Sequence, residues 1–299
     1  MRVFVTGASG WIGSAVVPEL LAAGHQVVGL ARSDESAAAV SALGAEVLRG
    51  SLDDPASLAE GAAASDGVVH LGYNHDFPRM AEAAQTDRLA IEAIGDALVG
   101  TGRPFVLAAG VLGLASGRPA TELDVPDPSL HPRIAGIAQA LAYADRGVRP
   151  VAVRFAPTVH GTGDHGFIAT LVAIARDRGV AGYIADGSNR WSAVPRFDAA
   201  RLVRLALENA VPGSSVHAVA EEGVTTRAIA EAIGAGLGIP VVSIPAEQAA
   251  DHFGWMARFF GADATASNAI TRERLGWEPT RPGLLDDLAE GHYFRTQAS

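Results

Sequence analysis

The chain has 299 residues, 48% hydrophobic and 19% charged, enough to bury one extended core or a main domain with a smaller lobe, and that balance argues against disorder. Its formal charge of −10 argues against nucleic acid or an anionic membrane as the main partner. There is no cysteine, and all 23 basic residues are Arg, which excludes disulfides, thiolate chemistry, a Schiff base, a phosphate-loop lysine and any Tyr-Lys catalytic pair.

Short β-branched runs predict strands at 2–6, 25–30, 45–48, 67–71, 104–108 and 150–155, and apolar periodicity predicts helices at 12–23, 55–63, 79–99 and 133–146. Strand-helix alternation at this spacing implies an α/β fold, a parallel sheet with helices on both faces. Pro18 inside the first helix removes one backbone donor and threatens a kink. Past residue 155 the alternation loosens into helices at 165–178, 198–209, 225–236, 246–259 and 283–290. The run 215–220 is expected to return to the main sheet, and 241–244 to pair within a small lobe. The reading is a dinucleotide-binding domain at 1–155 and a substrate-binding lobe at 156–299, with the substrate cleft between them. The apolar start MRVFVTGASG is too brief for a signal segment, and no run of about 18 apolar residues follows, so a cytoplasmic protein without membrane contact is expected.

The strongest motif is VTGASGWIG, a G-x-x-G-x-x-G loop between the first strand and the first helix. Gly7 permits the tight turn, Gly10 lets the backbone approach a diphosphate, and Gly13 lets helix and strand pack closely. Ser9, Trp11 and Ile12 complete a loop whose helix end offers N–H groups and a positive dipole to phosphates. At the end of the second strand an NAD site wants a carboxylate for the ribose 2′-hydroxyl. Here the order is Ala31, Arg32, Ser33, which suits a 2′-phosphate and hence NADPH over NADH; the alternative is that Arg32 is solvated and Asp34 takes the ribose. Leu52 and Asp53 follow the third strand, where an Asp reaches an adenine amino group, and Leu71, Gly72 and Tyr73 follow the fourth, where the cofactor must lie. His70/His75 and His160/His165 are spaced five apart without HExxH or a Cys cluster, so no metal is expected.

Together TGASGWIG, GSLDD, VVHLGYN, RPFVLAAG, VRFAPTVHGTGDHGF, GSNRWSAVPRFDAARL and LGWEPTRPGLLDDL resemble the extended and atypical short-chain dehydrogenase/reductases, whose members include nucleotide-sugar epimerases and dehydratases. The resemblance implies a Rossmann-type doubly wound parallel sheet of about seven strands with a smaller C-terminal substrate lobe. It places Pro157, Thr158, Val159 and His160 beside the nicotinamide, and Asn74, His75, Gly113, His165, Phe167, Asn189 and Trp191 toward the substrate. The same resemblance exposes a loss. The positions that usually hold a Ser or Thr, a Tyr and a Lys fall at Gly110 or Val111, Arg133 and Ile137. The catalytic group is therefore unassigned, with Tyr73, His75 and His160 as weak candidates, and the proton can come from a substrate hydroxyl or a water.

Phe77, Phe167, Tyr183, Trp191, Trp255 and Phe259 are candidate walls for a large apolar substrate, with core packing as their alternative. The pattern of loss is similar to that of the atypical ketoreductases that tailor angucyclinone polyketides in antibiotic biosynthesis. The expectation is an NADPH-dependent ketoreductase, a monomer or homodimer, acting on a bulky polycyclic aromatic ketone. Its rivals are a non-catalytic NADP(H)-binding sensor and, more distantly, an epimerase or dehydratase. Arg133 either binds substrate or points to solvent.

Overall fold

The computed structural model describes residues 1–74, 79–129 and 132–295. The six expected strands of the first half form β1 (Arg2–Thr6), β2 (Gln26–Ala31), β3 (Glu46–Arg49), β4 (Gly67–His70), β5 (Pro104–Gly110) and β6 (Arg149–Phe155). The second half adds β7 (Thr158–His160), β8 (Ala181–Ile184), β9 (Arg190–Pro195), β10 (Ser214–Ala218), β11 (Glu221–Thr225) and β12 (Val241–Ile244). Seven parallel strands make the central sheet in the order β10-β6-β5-β4-β1-β2-β3, a doubly wound Rossmann-type arrangement. The seventh place is filled late in the chain, where β10 pairs with β6 from Ser214 opposite Val151 to Ala218 opposite Phe155. Strand order reverses between β1 and β4, and the crevice outside their carboxyl ends is where such sheets bind ligands.

The helices are α1 (Gly13–Ala22), α2 (Asp34–Ala42), α3 (Pro55–Ala63), α4 (Met80–Leu98), α5 (Pro132–Ala142), α6 (Phe167–Arg178), α7 (Arg196–Asn209), α8 (Thr226–Leu237), α9 (Ala249–Phe253), α10 (Ala257–Phe260), α11 (Ala269–Leu275) and α12 (Leu284–Ala289). One face of the sheet carries α1, α2 and α7 through Val16, Leu20, Val40, Leu202 and Val203; the other carries α3, α4 and α5 through Leu58, Ile91, Ile94 and Ile137. Pro18 lies inside α1, which runs on to Ala22, so the lost donor interrupts the helix without ending it.

Tyr143 closes the second face, 4% exposed, its hydroxyl donating to Asp96 at 2.9 Å. Burial, with the Asp96 carboxylate beside it, raises its pKa to about 12. Its ring lies against Gly95 of α4, where an added Cβ would come within 2.5 Å of it. Helix propensity alone favours Gly95→Ala by about 1 kcal/mol, but overpacking a fixed ring costs about 1–3 kcal/mol. The expected net result is destabilisation, read as a lower urea midpoint; a raised midpoint would show that the ring moves aside.

Two smaller sheets, β11-β9-β7 and β12-β8, form the lobe with α6 and α8 around Trp191, Ile229, Phe253 and Phe260. The helix expected over 246–259 is broken into α9 and α10, because Gly254 at φ 57° and ψ −135° turns the chain out of helical geometry. Not every residue after 155 joins the lobe: α7, Val216, Ala218 and Trp277 pack into the main core. Among the described residues no helix is long and apolar enough to cross a membrane.

Candidate functional site

The glycine loop leaves β1 at Gly7, whose φ of 68° a side chain rarely adopts and where a Cβ would meet the Gly72 nitrogen at 2.6 Å. Gly10 is exposed, and a Cβ there would touch only the Gly7 carbonyl, at 3.2 Å, leaving its outer side open for a phosphate. No side chain caps α1; the Ser14 and Ala15 N–H groups turn back to the Gly10 and Ile12 carbonyls, which leaves the Gly13 N–H of the first turn for an anion. Ser9 is exposed at the turn, while Trp11 and Ile12 are half-buried. The Trp11 indole donates to the Val159 carbonyl at 2.7 Å, tying the loop to the segment after β6. An open, uncapped helix start under a small-residue loop fits a dinucleotide diphosphate.

At the far side of the sheet, the turns after β2 and β3 enclose a cleft of about 650 Å³ lined by Arg32, Ser33, Asp34, Arg49, Ser51 and Asp54 among others. Asp34 forms an ion pair with Arg49 through one carboxylate oxygen, and Arg32 is exposed at the cleft. Ser33 caps α2 in a reciprocal pair with Ser36. Arg49 was not singled out by sequence reasoning, although its place at the end of β3 could have suggested it. Asp53 accepts from Thr86 at 3.2 Å, and Leu52 lies against Gly72.

The exit of β4 is fixed by a buried relay. The Thr6 hydroxyl is bonded to His70 Nδ1 at 2.7 Å and accepts from the Gly72 N–H at 3.1 Å, while His70 Nε2 meets Asp87 at 3.2 Å. His70 is thereby committed to holding Leu71, Gly72 and Tyr73 in place. Asn74 is exposed beyond them, and His75 and Phe77 lie outside the described residues. Burial raises the Tyr73 pKa, opposed by the Arg133 charge. Arg133, on the first turn of α5, stacks its guanidinium 3.9 Å from the Tyr73 ring centre and reaches the Ala108 carbonyl of β5 at 3.5 Å. It is therefore held against Tyr73 and β5, half-buried, rather than extended into solvent. Val111 is 2% exposed in the main core and Gly110 offers no side chain, while Ile137 is 8% exposed in the core under α5.

On the lobe side, Pro157 and Val159 are half-buried where β6 passes into β7. The Thr158 side chain is turned inward, 2% exposed and donating to the Ser192 carbonyl at 3.1 Å. His160 is 1% exposed with Nδ1 on Asp287 at 3.0 Å, out of a substrate's reach. The half-buried carboxyl of Asp164 accepts from the Tyr293 hydroxyl at 2.8 Å and the Gly166 N–H at 2.7 Å, pinning the turn that presents exposed His165 edge-on to Trp11 at 5.6 Å. Burial drives the Asp164 pKa up.

Two expected substrate contacts are structural instead. Trp191 is fully buried and donates to the Phe259 carbonyl, and the Asn189 amide donates to the Phe260 and Ala262 carbonyls while accepting from Thr226. Phe167 is half-buried, with its ring 5.9 Å from Trp255 and 5.3 Å from Phe259. Leu112, just past the end of β5, packs against the same lobe core as Phe167 and Phe259. Gly113 opens the following turn at φ 79°. Tyr183 lies further out, under Arg227.

Residues 3–219 match the NAD dependent epimerase/dehydratase family, a span that runs from β1 through β10 and so covers every strand of the central sheet. The chain belongs to that family. Within it, the chain is 47% identical over 296 residues to the uncharacterized protein C2A9.02 of Schizosaccharomyces pombe, covering 98% of this chain and 100% of the relative. It is 30% identical over 227 residues to a 2-alkyl-3-oxoalkanoate reductase of Stenotrophomonas maltophilia, covering 72% of this chain and 68% of the relative. The fold is similar to that of a dTDP-glucose 4,6-dehydratase double mutant from Streptomyces venezuelae solved with NAD, with a TM-score of 0.75, 21% identity, and 99% and 98% of the two chains covered. As in an extended short-chain dehydrogenase/reductase, this epimerase/dehydratase family member joins its nucleotide-binding sheet to a C-terminal lobe.

Proposed function

We propose that the protein is an NADPH-dependent ketoreductase for bulky aromatic ketones, with angucyclinone-like polycyclic polyketides as the model substrate class, working without the usual Ser-Tyr-Lys residues. Family membership and the similarity to an oxoalkanoate reductase support an NAD(P)-dependent oxidoreductase. The preference for NADPH rests on Arg32 and Arg49 at the cleft after β2 and β3, where Asp34 is paired with Arg49 and Asp54 accepts from the first turn of α3. When bound, the cofactor supplies a hydride to the substrate carbonyl.

The observation that carries the reading is the Arg133–Tyr73 stack, held to the Ala108 carbonyl near the end of β5, and the lobe contributes an aromatic group of Phe167, Trp255 and Phe259. A guanidinium gives up no proton at neutral pH, but it stabilises the negative charge that grows on a carbonyl oxygen as hydride arrives. Tyr73 supplies an O–H beside it, protonated at neutral pH like any tyrosine, and burial raises its pKa further. A substrate phenol or a water can serve instead. Epimerisation and dehydration of sugar nucleotides need an acid/base pair, and Gly110, Val111 and Ile137 provide none.

The test follows NADPH oxidation at 340 nm across polycyclic aromatic ketones and quinones, with NADH and simple ketones as controls. Turnover that favours NADPH and the polycyclic members is the expected result. Tight NADPH binding without turnover on any member would replace the reductase by a non-catalytic NADP(H) sensor.

A further inference from the structure

We propose that Arg196 binds the cofactor's diphosphate from the lobe side of the glycine loop, so that the dinucleotide is gripped by both parts of the molecule. The inference rests on the cofactor reading above. Arg196 opens α7 directly after β9, whose Pro195 is held opposite His160 of β7. Its guanidinium carbon lies 4.0 Å from the Trp11 ring centre, and Nη2 donates to the Ser14 hydroxyl at 2.5 Å. That hydroxyl in turn donates to the Gly10 carbonyl at 2.6 Å, so the cation is tied to the loop and to the first turn of α1.

Its charge is not balanced where it sits. Arg196 forms no ion pair with a described carboxylate, and its Nε is buried without a hydrogen-bond partner. The one carboxylate that acts on it is Asp164, whose oxygens already accept from Tyr293 and Gly166. Burial pulls the Arg196 pKa below its ordinary value, which marks a guanidinium stripped of part of its water. Beside it stands the uncapped, positive end of α1. Two positive features packed together repel each other until an anion joins them, and a planar guanidinium suits the oxygens of a phosphate. A diphosphate lying on the glycine loop supplies that anion. The stack on Trp11 and the bond to Ser14 hold the guanidinium ready before the ligand arrives, which lowers the entropic cost of recruiting it.

The experiment compares NADPH with adenosine 2′-phosphate, which reaches the Arg32 cleft but has no diphosphate, by isothermal titration of wild type, Arg196→Gln and Arg196→Lys. A charge-assisted contact contributes enough that Arg196→Gln is expected to weaken NADPH by about 10–100-fold while adenosine 2′-phosphate stays within about twofold. Arg196→Lys keeps the charge and recovers part of the loss, and the salt dependence of NADPH binding falls in the Gln variant. Unchanged NADPH affinity in Arg196→Gln overturns the proposal. Equal weakening of both ligands also overturns it, since that is the signature of a loop merely disturbed. If the Gln variant does not fold, Arg196→Lys decides by the same ratio. A wild type that binds neither NADPH nor NADH removes the cofactor reading itself, and this inference with it.

Discussion

Gly13→Ala is expected to abolish cofactor binding, and Gly10→Ala to weaken it while leaving the fold intact. At Gly13 a Cβ would come within 2.0 Å of the Gly7 carbonyl oxygen and 2.8 Å of the Gly7 carbonyl carbon. Both are backbone atoms of the turn, so neither can rotate away, and α1 must shift off β1 or the turn must open. At Gly10 the nearest atom to a Cβ is 3.2 Å away, a contact that a few tenths of an ångström relieve. The methyl there occupies the space a phosphate needs. Titration by NADPH fluorescence with parallel thermal melts separates the two. Gly13→Ala loses both Tm and affinity, with a Kd at least about 100-fold higher, near 2.7 kcal/mol. Gly10→Ala keeps its Tm and loses affinity. Wild-type binding by Gly13→Ala would show that this loop does not seat the dinucleotide.

Arg133→Ala is expected to lower kcat by about 10²–10³-fold with NADPH affinity unchanged, the loss typical of one donor to a developing oxyanion. Arg133→Lys should restore part of it, because a cation remains while the stack on Tyr73 weakens. Tyr73→Phe then locates the proton. A fall of about 10²–10⁴ assigns general acid duty to the phenol, whereas retained turnover assigns it to a substrate hydroxyl or a water. If Tyr73 is the acid, its raised pKa keeps it protonated across the neutral range, so kcat is flat there and declines only above the ordinary tyrosine range. An Arg133→Ala variant with undiminished kcat would leave the guanidinium without a part in the chemistry.

The sequence spoke most clearly where a backbone constraint had to be met. The glycine triplet needs small residues because α1 nearly touches the β1 turn, and the strand runs of the first half are read from β-branched residues buried on both faces. It spoke least where burial is decided by distant chain. The helix α2 shows little apolar signal, with only Val40 buried among Ala and Ser, and it declares itself through the cap at Ser33 instead. Trp191 and Asn189 look like pocket residues in sequence, yet β11 and the 259–262 segment, far along the chain, enclose them. Arg133 follows a Pro at a helix start, a place equally suited to solvent; only the approach of Tyr73 from the β4 exit fixes its direction. Arg49 and Arg196 drew no notice because one Arg among 23 is ordinary until its neighbours are known.

The way the chain threads between the central sheet and the β11-β9-β7 sheet limits how the molecule can be divided. It passes from β6 to β7 through Ala156 and Pro157, comes back from β9 straight into α7, and leaves again from β10 to β11 through Val219 and Ala220. Three short covalent crossings of this kind act as stitches rather than as a hinge. A polypeptide ending at residue 155 would lack both β10 and α7, leaving the β6 edge unpaired and the apolar face of α1 uncovered. Cut at that point, neither half keeps the core that the two now build together.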